Sequence, residues 1–371
     1  MTEQKYAVGL HPNLPPPKHS VGALHWIRSS FFSSPMNTIL TFFSLFLVWQ
    51  VVPPFLNWAI FSADWLGDDR SSCSREGACW VFIRVWYEQL IYGRYPDEQL
   101  WRINLSYILA IAAAAPLFFD AVSRQIKTAL VLFLVVVFPV ICFYLYYGGS
   151  FGLEIVETSV WGGLFLTLVI AVTGIVMSLP LGILLALGRR SDMPVVKSIC
   201  VVFIEFWRGI PLITVLFMAS VMFPLFVPEE MSPDKLVRAL IGVALFSSAY
   251  MAEVVRGGLQ AMPKGQYEAA AALGLNFWKS TMLIILPQAL KMVIPGIVNT
   301  FIGLFKDTTL VLIIGLFDLL GMAQLASTNP DWLGFAIEGY VFAALGFFVF
   351  CFSMSRYSQH LERVLDTGHR N

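Results

Sequence analysis

Charge is scarce in this chain. Of 371 residues only 13% are Asp, Glu, Lys or Arg, about half the share carried by a soluble domain, and 24 basic and 24 acidic side chains cancel to a formal net charge of zero. Without a basic surface there is nothing for a phosphate backbone to engage, and nucleic-acid binding is set aside. Cysteine and histidine are sparse too, five of each. No C-x-x-C occurs, no dense disulfide framework can form, and the histidines never fall at metal-ligand spacing, so no metal site is expected. A G-x-x-x-x-G-K-[ST] loop is missing, so the chain has no ordinary cradle for nucleotide phosphates. No cluster of nucleophile, base and orienting group can be named that would argue for an enzyme. The first residues form a polar tail with Pro12, Pro15, Pro16 and Pro17, lacking the short apolar core and cleavage site of a signal peptide. That tail is expected to stay and to be unstructured.

Apolar residues are abundant: 57% of the chain, with a mean hydropathy of +0.72. Apolar runs of roughly 20 residues cross a bilayer as helices, because hydrocarbon tolerates only backbone whose hydrogen bonds are closed internally. Eight such runs are expected, near 36–61, 103–119, 129–147, 160–187, 199–223, 236–255, 283–305 and 332–352. The fold class is therefore an all-α integral membrane protein. Lys and Arg accumulate on the cytoplasmic side of short loops. Arg28, Arg124, Lys127, Arg189, Arg190, Lys197, Arg256, Lys264, Lys279, Arg356, Arg363 and Arg370 all fall on one side of an eight-span arrangement. Both termini, 1–35 and 361–371, are then expected in the cytoplasm, and the segment near 62–102 outside, although Arg70, Arg75, Arg84 and Arg94 there run against the rule. This exterior segment holds Cys73 and Cys79, for which a local disulfide and two free thiols are both open readings. Its Trp and Tyr content suits an amphipathic element at the membrane interface or a surface for another subunit.

One loop between apolar runs carries a pattern that composition does not explain. Glu268, Ala269, Ala270, three residues, Gly274, nine residues, then Ile284, one residue, Leu286 and Pro287 form an uninterrupted E-A-A, G, I-x-L-P spacing. Four consecutive alanines and Leu273 give the stretch from Gln266 to Trp278 the strongest helix propensity of any loop here, so a helix about 20 Å long is expected, at about 1.5 Å per residue. Pro263 and Gly265 mark its start, Glu268 in the first turn complements the helix dipole, and small side chains ending in Gly274 let another protein approach the backbone. On alanine content alone an ordinary connector would serve equally well; the complete spacing favours a docking element. Among ionisable residues inside apolar runs, Glu205 and Arg208 are three apart and share a helix face, which lets them neutralise each other. Gly209 and Pro211 then break the helix. A new helical start near Pro211, with free N–H groups beside Arg208, would favour a carboxylate. Lys306 and Asp307 cannot share a face, so the helix is expected to end or unwind there, with Thr308 and Thr309 satisfying freed backbone groups or lining a polar path. Glu253 and Arg256 share a face and are expected to pair beside the docking loop.

The docking-loop spacing resembles that of ATP-binding-cassette importer permeases. Phe203-Ile-Glu-Phe-Trp-Arg-Gly-Ile-Pro-Leu212 is similar to the V-E-F-x-R-G-T-P-L segment of their polar amino acid uptake family, the histidine/glutamine type, and Leu304-Phe-Lys-Asp-Thr-Thr-Leu310 to its L-K-D-T-S-L segment, with Thr309 where serine is usual. The resemblance implies a type I importer permease domain at about 158–360, made of the last five spans, with a cytoplasmic coupling loop near 256–282. Residues 36–150, with three further spans, exceed the minimal pattern and resemble the M-type permease subunit of the bacterial general L-amino-acid transport system. What the resemblance implies is a non-catalytic subunit in the bacterial inner membrane, working as a heterodimer with a homologous second permease. Two ATPase subunits would bind ATP and magnesium, and a periplasmic amino-acid-binding protein would deliver L-amino acids of broad range. Gly265, Glu268, Ala269, Ala270, Gly274, Leu286 and Pro287 would then couple to the ATPase; Glu205, Arg208, Lys306, Asp307, Thr308 and Thr309 are the pathway candidates. An ion-coupled secondary transporter is the alternative. It would call for inverted repeats and carboxylates near span centres, and no convincing repeat is evident.

Overall fold

The computed structural model describes residues 22–119 and 121–365; the expected N-terminal tail up to residue 21, with its four prolines, and the last residues of the expected C-terminal tail, 366–371, lie outside them. The described residues are almost entirely helical, with extended pairing confined to isolated bridges such as Gly163 with Asp318. They divide into two compact units, one holding residues up to Leu66 together with Cys73–Cys79, the other Gly67–Ser72 and the chain from Trp80 onward.

In the first unit a short helix, Ala23–Phe31, precedes the helix Pro35–Leu56. The second helix starts where the Ser34 hydroxyl accepts the Asn37 N–H at 3.1 Å and Pro35 occupies the first helical position. It runs on through a π-helical turn to Phe61. No residue of Pro35–Leu56 is buried. A helix this apolar with no buried residue among the described ones is one whose solvent is lipid. After it, Ala78 donates its N–H to the Trp58 carbonyl, and the Asp64 carboxylate accepts the Ser74 N–H and hydroxyl at 2.7 and 2.9 Å. Cys73 and Cys79 close this loop as a disulfide.

The second unit begins its helical part with Trp80–Tyr92. The segment expected to hold an amphipathic element at the membrane interface or a surface for another subunit is here a helix with one packed side, and Arg84, Val85, Tyr87 and Glu88 stay exposed on the other. Val81, Phe82 and Leu90 are fully buried, against helices Gly163–Arg189, Leu319–Ser327 and Ala336–Leu365, and the Phe82 ring lies 5.5 Å from that of Trp332. Its partners come from distant parts of the chain, so its own aromatic content could not reveal that they cover it. Among the described residues seven helices are long and apolar enough to span a membrane: Pro35–Phe61, Asp97–Phe118, Arg124–Tyr147, Gly163–Arg189, Lys235–Ala261, Ile294–Ile314 and Ala336–Leu365.

An eighth candidate is bent. Pro194–Gly209 and Leu212–Leu225 meet at 101°, so the run expected as one span at 199–223 is two helical pieces. Gly209 ends the first piece, Ile210 before proline is extended (φ −116°, ψ 144°), and Pro211 caps the second. The seventh span is also displaced from its expected place. Residues 281–292 form a π turn and the short helix Leu286–Met292, Val293 leaves helical geometry (φ −112°, ψ 14°), and the long apolar helix begins at Ile294. Pro287 and Pro295 each lack the N–H that a continuous helix would need.

Besides the packing around Trp80–Tyr92, two clusters of buried side chains stand out in the second unit. One gathers Phe165, Leu166 and Ile170 of the fourth span with Ile103, Leu145 and Tyr146 of spans two and three. The other joins Ala186, Ile204, Met251, Val255, Leu286 and Ala289 around the end of the bundle that carries the 262–282 loop. Helices Gly163–Arg189 and Lys235–Ala261 form the most extensive helix pair of the bundle. A side chain at Gly182 would come 2.7 Å from Met251 and 3.1 Å from the Ala252 nitrogen, so glycine there sets how closely these spans approach. In the last span Phe347 and Phe350 pack on Phe305, while Phe348 and Val349 between them face outward.

Candidate coupling site and pathway

The loop after span six forms a helix shorter than expected. Lys264–Ala272 spans nine residues behind Pro263 as cap, and Glu268 lies one turn inside it rather than in the first turn. Its end is decided by Gly274, at φ +69°. The Gly274 N–H donates to the Ala271 carbonyl at 2.9 Å and the Leu275 N–H to the Ala270 carbonyl at 3.2 Å. This is a Schellman closure, in which a left-handed glycine lets the chain turn back on the last carbonyls. Gly274 therefore ends the helix rather than extending an open surface. Asn276 starts another short helix by accepting the Lys279 N–H at 2.9 Å, so the stretch to Trp278 is two pieces.

The spaced motif divides into two groups. Gly265, Glu268 and Ala269 are exposed along one side of the helix, whereas Ala270 is buried. Leu286 is buried in the cluster beneath, and Pro287 stands at the start of Leu286–Met292, where its missing N–H costs nothing. Gln288 donates to Gln266 at 3.2 Å, linking that helix to the loop helix.

Close by in the chain's folding, an arginine–glutamate cluster joins spans four and six to the bent helix. Glu253 accepts from Arg256 at 2.8 and 2.9 Å and from Arg189 at 3.0 Å, and Arg208 lies 3.7 Å away. Arg189 also donates to Glu205 at 2.8 Å. The Glu253–Arg256 pair is present as its spacing suggests. Glu205 and Arg208, however, do not pair with each other: each reaches a partner on another helix, because packing presents Arg189 and Glu253 to that face. Three guanidinium groups against two carboxylates leave one surplus positive charge. Among the described residues Arg208 donates no hydrogen bond inside the cluster; its guanidinium instead lies over the Tyr250 ring at 5.5 Å. Arg189 and Tyr250 were not distinguishable as site residues by sequence. Arg189 looks like one more basic loop residue, and its position at the very end of a span is the only sign of its role.

The second group of pathway candidates is separate. The α-helix ends at Asp307, and Thr308–Ile314 continues as a 3₁₀ helix. The buried Thr308 hydroxyl donates to the Phe305 carbonyl at 2.8 Å, and the Thr309 hydroxyl to the Lys306 carbonyl at 3.0 Å. Both hydroxyls thus serve carbonyls released where the helix changes pitch. Lys306 is exposed and Asp307 half-buried, and neither makes an ion pair within 4.0 Å among the described residues.

Residues 178–366 match the family described as the inner membrane component of binding-protein-dependent transport systems. The chain belongs to that family. It is accordingly a transport permease and not an enzyme, and the matched region starts within the fourth span and runs through the eighth. An inner membrane amino-acid ABC transporter permease protein, YhdY, of Escherichia coli strain K12 is 57% identical over 358 residues, covering 96% of this chain and 97% of the relative. The glutamate/glutamine/aspartate/asparagine transport system permease protein BztC of Rhodobacter capsulatus is 42% identical over 96% of both chains. These matches take in the first three spans of the permease as well. A chain from the crystal structure of an amino acid ABC transporter with histidines is 30% identical over 54% of this permease and 91% of its own length, with a TM-score of 0.48.

Proposed function

We propose that this permease carries L-amino acids of broad range into bacteria across the inner membrane, as one half of a heterodimer driven by two ATPase subunits that bind ATP and magnesium. A periplasmic binding protein delivers the substrate. The observation that carries the reading is the Lys264–Ala272 helix, with Gly265, Glu268 and Ala269 exposed on one side while Ala270, Gly274 and Leu286 fix the other side and the ends. Exposed small residues around one carboxylate suit the groove of a cytoplasmic ATPase, and the loop faces the cytoplasm. The permease names carried by relatives at 57% and 42% identity support amino acids as the substrate class. ATP-driven approach of the two ATPases would rock the bundle between inward-open and outward-open states by rigid-body motion.

Along the path, Arg208 is the residue poised to meet a substrate carboxylate. Among the described residues its guanidinium has no hydrogen-bond acceptor, only Glu253 at 3.7 Å, in a cluster that holds a surplus positive charge. Thr308 and Thr309 serve the fold, and Lys306 with Asp307 marks the change of helix type.

Labelled amino acid uptake, with co-purification of the ATPase in mild detergent, tests both parts. Glu268→Lys should abolish most uptake and ATPase association together at unchanged membrane abundance; unimpaired uptake would remove the main support for ATP coupling. Arg208→Gln should keep the ATPase bound and raise KM by about tenfold, the loss of one charge-assisted contact. An unchanged KM would return Arg208 to a purely structural role.

A further inference from the structure

We infer that Arg190 and Tyr267 form a latch that passes movement of the loop helix into the membrane bundle. The inference rests on the coupling reading above and assigns positioning roles to two residues outside the spaced motif.

Arg190 caps the C-terminal end of span four. Its Nη1 donates to the Leu259 carbonyl at 2.7 Å and to the Tyr267 hydroxyl oxygen at 3.1 Å. The Tyr267 hydroxyl in turn donates to the same Leu259 carbonyl at 3.2 Å. The guanidinium carbon lies 5.7 Å from the centre of the Tyr267 ring. Leu259 is in the last turn of Lys235–Ala261, where carbonyls have no partner within the helix. Three elements therefore meet at one oxygen: the end of span four, the end of span six and the loop helix. The bonds to Leu259 and Tyr267 are strengthened by the full charge on arginine, and the ring contact adds a cation–π attraction.

The surrounding connections make this contact mechanically decisive. Only Met262 and Pro263 separate span six from the loop helix, and Met262 is buried. The neighbouring Arg189 ties span four to Glu205 and Glu253, so the same turn of chain grips the bent helix and span six. On the other side the loop helix has the neutral Gln266–Gln288 bond. Successive residues of a helix point about 100° apart. Tyr267 is accordingly turned toward the bundle, while Glu268 faces outward. A change at Tyr267 leaves the outward face as it is, yet frees the helix to tilt without carrying spans four and six along. ATP hydrolysis would then continue without its full yield of transport.

The test uses the complete transporter, reconstituted in vesicles with its ATPase and binding protein. Hydrolysis, uptake and ATPase retention are measured on the same preparation for wild type, Tyr267→Phe, Arg190→Gln and Arg190→Lys. Tyr267→Phe removes only the hydroxyl, keeps the ring under Arg190, and decides the matter should Arg190→Gln fail to fold. Expected is full ATPase retention, sustained hydrolysis and about a tenfold drop in amino acid taken up per ATP, a typical size for coupling between sites. Arg190→Lys, with a charge that still reaches one acceptor, should recover part of the yield. Wild-type yield in Tyr267→Phe overturns the latch, and so does loss of the ATPase from that variant, which would make Tyr267 a docking residue. Failure of the coupling reading shows earlier and separately, as a wild-type assembly that retains no ATPase and imports nothing on addition of ATP.

Discussion

Asp318 holds a carboxylate away from water at the head of the Leu319–Ser327 helix. It is fully buried; its Oδ1 accepts the Gly321 N–H at 2.9 Å, and its Oδ2 has no hydrogen-bond partner among the described residues. The neighbouring backbone is equally fixed, with the Leu319 N–H bonded to the Thr167 hydroxyl at 3.0 Å and the Phe317 carbonyl accepting from Gly163 at 2.9 Å. Burial pushes the Asp318 carboxyl up from 3.8 to about 6, against the opposing pull of the backbone N–H groups. A group whose folded pKa is raised binds its proton more tightly in the native state. Its contribution is thus largest at low pH and is lost as pH climbs from about 4 through about 6, on the order of 3 kcal/mol in all. Asp318→Asn keeps an oxygen for the cap and carries no charge at any pH. Thermal melting in detergent at pH 4.5 and pH 8 should show the variant more stable than wild type at the higher pH, with the gap narrowing at the lower. A gap independent of pH would mean that the carboxyl does not ionise in this range.

At the level of the element, what could be read from sequence depended on where the deciding contacts lie. Long spans were legible because a transmembrane helix closes its own hydrogen bonds, and apolar length alone nearly specifies it. The break in the fifth run was legible for a local reason too: Gly209 closely followed by Pro211 favours a stop, with Ile210 held extended before proline. Its 101° angle was not, since the two pieces meet partners from other spans, Arg189 and Glu253 among them. The loop helix gave its beginning at Pro263 and its exposed carboxylate, yet not its end. Glycine in an alanine-rich run reads as permissive until the Ala270 and Ala271 carbonyls are seen to need its left-handed turn. The packed side of Trp80–Tyr92 was opaque, because a Trp- and Tyr-rich segment does not name the three distant helices that cover Val81, Phe82 and Leu90. The candidate site followed this division. Glu253 with Arg256 is a local pair and was visible; the partners of Glu205, Arg208 and Arg190 are not local and were not.

For the molecule as a whole, sidedness is the property on which the coupling reading depends. Short basic loops are the reason to expect the 262–282 loop inside, and four arginines between residues 70 and 94 argue the other way for the opposite end. The fold supplies engagements for three of those four. Arg70 lies over the Phe335 ring at 5.9 Å and donates to the Asp331 carbonyl at 3.3 Å, Arg84 is 3.8 Å from Asp68, and Arg94 lies over the Phe317 ring at 5.7 Å. Charges engaged in a folded layer outside the hydrocarbon are compatible with translocation, whereas short flexible basic loops are the ones retained in the cytoplasm. The prediction uses two exposed positions on opposite ends of the bundle: Phe151, 89% exposed between spans three and four, and Leu273, 74% exposed beside Gly274. With the free thiols Cys142, Cys200 and Cys351 replaced by serine and the Cys73–Cys79 bond kept oxidised, Phe151→Cys should react with a membrane-impermeant maleimide in intact spheroplasts. Leu273→Cys should react only after the membrane is opened. The reverse order would put the Lys264–Ala272 helix outside the cell, where no ATP is available to drive it, and would undo the coupling reading even if every contact in the bundle were retained.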